Sequence, residues 1–325
     1  MIISKTPYRV SFFGGGSDYP EWYSKYGGEV ISTTINKYIY VSLRELPKFF
    51  KHKYRVVYSK DEMVQSIDQI KLRPVREVIK HYNILNGLEI HYDGDLPSRS
   101  GVASSSSFVV GLINCLMVYK KREMSKKQLA KESIFVEQKV IKEVVGIQDQ
   151  IACSYGGFNN IKFFRNGSFK VHEMTNYKKS VNQLEKNLYL VYSRFQRSAE
   201  EVAKSYVNKL SEKKINEMNR MNEILQEAKK SLSKGDVGDF GSLLHENWIL
   251  KQKLSNKISN LKLDNLYNYA LQSGATGGKL LGAGGGGFFI FYVPENNQKL
   301  FLSKMKKNIL MPIKFETKGS KIILK

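Results

Sequence analysis

The stretch from Asp95 to Gly111, DLPSRSGVASSSSFVVG, constrains the fold more than any other part of the chain. It begins with a turn and Pro97, runs through small residues, and becomes apolar at Phe108. Phe108, Val109, Leu112, Ile113, Leu116 and Met117 recur at helical spacing, which predicts a buried helix opened by the loop. Pro97 keeps the chain before it extended or turning, and Gly101 can take a backbone conformation closed to larger residues. Four consecutive serines then fall where the first N–H groups of a helix lack internal partners. Two roles are open to such a loop. It is a serine-rich helix cap, or a cradle in which those N–H groups and the helix dipole hold an anion such as phosphate.

A chain of 325 residues is long enough for two domains, each with its own core. Its hydrophobic content of 42% and charged content of 25% are those of a soluble globular protein. No apolar run follows a basic start, so no signal peptide is expected, and the apolar stretch Phe108 to Val118 is too short to cross a bilayer. Cys115 and Cys153 lie in apolar or small-residue surroundings and suggest neither a disulfide framework nor a metal knuckle, which fits a reducing cytoplasm. The formal net charge of +22 raises nucleic acid or an acidic surface as partners. However, the excess is mostly lysine spread along the chain, with no arginine-rich run and no basic stripe interleaved with aromatics. Neither nucleic acid nor membrane is therefore expected as a partner.

Read in order, strands are predicted at Ile2–Ile3, Tyr8–Phe13, Val30–Leu43, Tyr54–Tyr58 and Leu88–Tyr92, with a helix from Pro74 to about Tyr82. Ser125 with Gln128 forms a capping-box pattern for a helix to about Glu143, and Asp149 to Tyr155 reads as a further short helix. A hairpin over Phe158–Phe164 and Ser168–Met174 follows. The polar connection 175–186 marks the domain boundary, giving domains of residues 1–180 and 181–325. Beyond it come a strand at Leu188–Tyr192 and helices at Ala199–Leu210, Ile215–Leu232, Phe240–Leu254 and Leu263–Gln272. A glycine-punctuated segment, Gly274 to Gly287, feeds a strand at Phe288–Val293. A helix near Gln298–Asn308 and strands at Ile313–Glu316 and Lys321–Leu324 close the chain. Strands mixed with helices without regular βαβ repetition predict an α+β architecture.

Three glycine runs lie at strand ends, where backbone can approach a ligand closely. They are PYRVSFFGGGSDY from Pro7, the loop from Pro97 to Ser107, and LLGAGGGGF from Leu280. Together, in this order, they resemble the three motifs of the GHMP small-molecule kinases, and the resemblance covers essentially the whole chain. It implies a two-domain fold, a ribosomal-protein-like amino-terminal domain and a ferredoxin-like carboxy-terminal one, with the active site between them. The first run is the counterpart of the galactokinase motif P-G-R-V-N-L-I-G-E-H-T-D-Y, with Gly15 and Gly16 replacing the Glu-His pair, which speaks against galactose. Its GGGSD core and the PSRSG-x-x-SSSSF form of the second run are similar to the D-glycero-D-manno-heptose 7-phosphate kinases.

That resemblance implies an ATP- and Mg²⁺-dependent kinase, monomer or homodimer. Its reaction would phosphorylate the anomeric hydroxyl of the heptose 7-phosphate to the 1,7-bisphosphate, for nucleotide-activated heptose used in surface polysaccharide. It implies ATP binding by Pro97, Arg99, Ser100, Gly101, Val102, Ala103, Ser104, Ser105 and Ser106, and Mg²⁺ held by Ser105 and Glu137. Asp149, in GIQDQ, would take the acceptor proton with Arg9 beside it. Gly15, Gly16, Ser17, Asp18, Arg197, Gly284 and Gly285 would meet the sugar phosphate or shape its pocket, with Lys279, Arg73 and Arg76 as further clamps for the distal phosphate. The family's G-L-G-S-S stands here as Gly101-Val102-Ala103-Ser104-Ser105, so a methyl is added where backbone and phosphate approach. Two other readings stay open: another sugar 1-kinase of the family, fucokinase- or galactokinase-like, and a catalytically silent sugar sensor.

Overall fold

A computed structural model describes residues 1–174 and 177–325. In the first half, β1 (Ile2–Phe13) leads through α1 (Pro20–Tyr26) to the long β2 (Gly28–Glu45). Then follow β3 (Tyr54–Val57), β4 (Asp61–Val64), α2 (Arg73–His81), β5 (Leu88–Gly94), α3 (Ser104–Tyr119), α4 (Lys126–Phe135), α5 (Gln148–Tyr155), β6 (Phe158–Phe163) and β7 (Phe169–Glu173). The second half holds α6 (Lys178–Asn187), β8 (Leu188–Tyr192), α7 (Ala199–Lys204), α8 (Leu210–Lys213), α9 (Ile215–Lys234), α10 (Phe240–Gln252) and α11 (Leu261–Gln272). It ends with β9 (Gly277–Leu280), β10 (Phe288–Tyr292), α12 (Gln298–Lys304), β11 (Ile309–Pro312), β12 (Phe315–Glu316) and β13 (Lys321–Leu324).

Two sheets result. The larger runs β13-β1-β2-β5-β3-β4; β6 pairs with the first part of β2 and with β7, and β12 also pairs with β2. The smaller runs β11-β8-β10-β9, antiparallel throughout. The apolar β1 buries Tyr8, Val10, Phe12 and Phe13, and α3 lies on it, apolar nearly all round. A helix of that kind needs cover on every side, and sheet, α4 and α5 supply it. A second core forms around Trp248, Tyr267, Phe289 and Phe291 between the small sheet and its helices. Each large aromatic so enclosed contributes about 2–3 kcal/mol. No described helix is long and apolar enough to cross a membrane.

The structure departs from the sequence reading in several places. The polar connection after Met174, whose positions 175 and 176 lie outside the described residues, carries α6, anchored by the buried Leu184. The helix expected from Ser125 to Glu143 gives way to a π turn over Val136–Val140, closed by Ile141 N donating to Val136 O at 2.8 Å. Ala199–Leu210 breaks after α7. The last strand, β13, leaves the second half and pairs with β1.

Candidate active site

The helix α3 starts at Ser104 with Ala103 as its N-cap, in left-handed backbone at φ 66° and offering no side-chain acceptor. None of the four serines caps it. Ser104 Oγ accepts from Arg99 N at 3.2 Å, Ser106 Oγ bonds Glu137, and Ser107 Oγ donates to Pro7 O at 3.0 Å, while Ser105 is exposed. The first turn of α3 therefore opens with uncapped N–H groups, the requirement for an anion cradle. The third glycine run packs directly on this loop: a Cβ on Gly101, at φ +81°, would stand 2.6 Å from Leu281 O, so only glycine fits.

Arg9 lies in the middle of β1, opposite Thr34 of β2, and is 3% exposed. Its Nε donates to Asp149 Oδ1 at 2.9 Å, its Nη2 donates to the same oxygen, and its Nη1 donates to Gly101 O at 3.2 Å. One side chain thus ties the acid at the start of α5 to the serine loop. A cavity of about 310 Å³ lies here, walled by Arg9, Asp18, Asp149 and Ser104–Ser106 from the first half and by Tyr206, Lys251, Lys279 and Gly282 from the second.

Asp18 is buried at the cavity edge, with Gly16 N donating to its Oδ1 at 3.1 Å. Burial, and then the charge of Asp149, push its carboxyl up to about 6. Gly146 lies over it so closely that a Cβ there would be 1.9 Å from Asp18 Oδ2. Glu137, carried by the π turn, is fully buried; Ser106 Oγ donates to it at 2.9 Å and Gln150 Nε2 donates to it as well. Burial, then Glu143, push it up to about 8.

Of the residues named from sequence, Arg9, Gly15, Gly16, Asp18, Arg99, Gly101, Ala103, Ser104, Ser105, Ser106, Asp149 and Lys279 meet at this cavity. Others stand off its wall. Pro97 is exposed, Val102 and Ser17 are buried in the fold, and Ser100 presents its carbonyl to Phe288 N. Glu137 sits behind Ser106. Arg197 is exposed and packs by its stem near Gly285; Gly284 packs on Ile258. The glycines of the third run that meet the serine loop are Gly282, against Gly101, and Gly287, against Ser100, rather than Gly284 and Gly285. Arg73 donates to Ile141 O, and Arg76 pairs with Glu77. Sequence reading passed over Lys251, although Phe240, Leu244, Trp248 and Lys251 fall on one buried helical stripe where a lysine stands out.

Family models match in both halves of the chain: the GHMP kinases N terminal domain matches residues 71–157, and the GHMP kinases C terminal matches residues 228–309. The chain belongs to the GHMP kinase family. It is accordingly a phosphotransferase with an alcohol group as acceptor, and ATP is the phosphate donor of such kinases. Among curated relatives, the D-glycero-alpha-D-manno-heptose 7-phosphate kinase of Campylobacter jejuni is 28% identical, covering 94% of this chain and 93% of its own. A galactokinase of Clostridium beijerinckii is 26% identical over 96% of this chain and 90% of its own. A crystal structure of a D-glycero-D-manno-heptose 1-phosphate kinase from Bacteriodes thetaiotaomicron superposes with a TM-score of 0.78 at 24% identity, covering 100% of this chain and 99% of that one. The two-domain α+β fold of this GHMP kinase is thus the family's own.

Proposed function

We propose that this GHMP kinase is a sugar-phosphate 1-kinase that transfers the γ-phosphoryl group of ATP to the anomeric hydroxyl of D-glycero-α-D-manno-heptose 7-phosphate. The observation that carries the reaction type is the Arg9 bridge, which holds the Asp149 carboxylate against the loop that opens α3. The substrate rests on the full-length likeness to the Campylobacter kinase and on Gly15 and Gly16, which leave the mouth of the first run without large side chains. In this reading residues 1–180 are the ATP-binding domain and 181–325 its partner, with β12 and β13 reaching back to the first sheet. The product would serve nucleotide-activated heptose in surface polysaccharide.

The uncapped N–H groups of α3 receive the nucleotide phosphates. Asp149 accepts the proton as the acceptor O–H bond breaks. The freed oxygen bonds the γ-phosphorus, the bond from phosphorus to the β–γ bridging oxygen breaks, and ADP leaves. Arg9 orients the Asp149 carboxylate and faces the charge that builds on the migrating group. Asp18 accepts hydrogen bonds from sugar hydroxyls.

The donor set suits Mg²⁺, which takes oxygen ligands and usually only one or two carboxylates. Ser105 is on the cavity wall, Glu137 has no cation within ion-pair distance among the described residues, and Gln150 Oε1 beside it is buried without a partner. Ser105 and Glu137 would hold the ion, which supplies charge neutralisation on the triphosphate.

An ADP-release assay over a panel of acceptors tests the substrate. Turnover with the heptose 7-phosphate at least a hundredfold above galactose and fucose is expected; the reverse order overturns the choice of sugar while leaving the family intact.

A further inference from the structure

Two buried lysines on the cavity wall have no use in the steps above. Lys251, near the end of α10, is 7% exposed, and Lys279, in β9, is 3% exposed. Lys251 Nζ donates to Leu280 O at 2.9 Å and Gly282 O at 2.6 Å; Lys279 Nζ donates to Phe12 O at 2.7 Å. An ammonium has three protons to give, so one remains on Lys251 and two on Lys279. Among the described residues neither makes an ion pair, and the buried Arg9 is a third cation close by.

Leaving such charges enclosed and unpaired is unfavourable. Burial, then Arg9, push Lys251 down to about 7; burial, then Lys251 and Arg9, push Lys279 well below its ordinary range, and Asp18 offsets this only in part. Tying loops together does not call for it, because a neutral amide can also donate to a carbonyl. The pair stands where the three glycine runs converge: Phe12 lies in the first, and Gly282 of the third lies on Gly101 of the second.

We infer that Lys251 and Lys279 form the seat for a phosphoryl group, which supplies the counter-charge the fold withholds. The inference rests on the reading that this cavity takes phosphorylated ligands. Two sources share that chemistry: the terminal phosphate of the nucleotide and the phosphate already carried by the acceptor.

Lys251→Gln and Lys279→Gln keep a donor for the carbonyls and remove the charge. Inorganic tripolyphosphate is the first probe, since it binds without regard to which sugar is the substrate. Titration calorimetry should show its affinity at least tenfold weaker in each folded variant. Steady-state kinetics then separate the sources. A KM for the sugar phosphate raised tenfold or more with the KM for ATP unchanged assigns the acceptor's phosphate; a fall in kcat or a raised KM for ATP assigns the donor's. Folded variants that bind tripolyphosphate and turn over like the wild type overturn the inference. If the variants do not fold, wild-type crystals soaked in tungstate decide it. An anomalous peak within about 4 Å of both Nζ atoms supports the seat, and peaks confined to the serine loop overturn it. A substrate panel that rejects heptose leaves these readouts untouched.

Discussion

Arg9 and Asp149, 140 positions apart in sequence, meet on a single oxygen: Nε and Nη2 of the arginine both donate to Asp149 Oδ1. The carboxylate is thereby fixed in orientation, and its side chain is still 25% exposed towards the cavity. In the proposed mechanism an acid held this way takes the acceptor's proton, and the pair is only partly enclosed. Asp149→Asn keeps the shape and loses the proton acceptor. Turnover should fall by about 10²–10⁴-fold, with ATP affinity within about twofold of wild type by fluorescence titration. Unchanged turnover removes Asp149 from the chemistry.

Ala103 sits at φ 66°, a conformation that costs a residue with a Cβ roughly 1–2 kcal/mol. Ala103→Gly relieves this and clears a methyl from the mouth of the phosphate loop. The KM for ATP should drop by about two- to fivefold without loss of thermal stability, read by steady-state kinetics and a melting curve. A weaker KM would mean that the methyl packs usefully against the nucleotide.

Glu137 is raised from 4.5 to about 8 by burial and then by Glu143. Between those values the native state holds a proton that the unfolded state has released, so stability is lost as pH rises through that window. Glu137→Gln removes this contribution. Its melting temperature should decline less than the wild type's between about pH 5 and pH 8.5, and at the upper pH the variant should be the more stable. With nucleotide present, Mg²⁺ should raise the wild-type melting temperature at that pH and leave the variant's nearly unmoved. A matching Mg²⁺ response in both proteins would take Glu137 out of the metal site.

Gly146→Ala puts a Cβ where Asp18 Oδ2 now lies, 1.9 Å away. The carboxylate must swing aside, so the KM for the sugar should rise about tenfold while that for ATP stays within about twofold. Equal KM values for the sugar would show that Asp18 does not touch it.

Which residues meet at the cavity was more legible in the sequence than the details of the framework. Arg9 and Asp149 were named through the likeness of PYRVSFFGGGSDY and GIQDQ to galactokinase segments, in a chain whose glycine runs announce places where backbone must come close. The serine loop was legible for the same reason, yet its serines turned out to brace Arg99, Glu137 and Pro7 rather than cap the helix. The helix α6 hid in a run of lysines and asparagines, because one buried leucine and tertiary cover were enough to hold it. The strand β9 hid among glycines, whose flexibility masks the pairing that β10 imposes. The return of β13 to β1 is a long-range pairing that no local pattern encodes. Lys251 was hidden by abundance, one basic residue among 52, and only its place on an apolar stripe marks it.

The most direct test of the central claim is phosphorus NMR of the reaction of wild-type enzyme, ATP, Mg²⁺ and the heptose 7-phosphate. The account predicts a new phosphate resonance split by the anomeric proton, growing in step with ADP and absent with Asp149→Asn. ADP accumulating with inorganic phosphate alone, or a new resonance without that coupling, would contradict it.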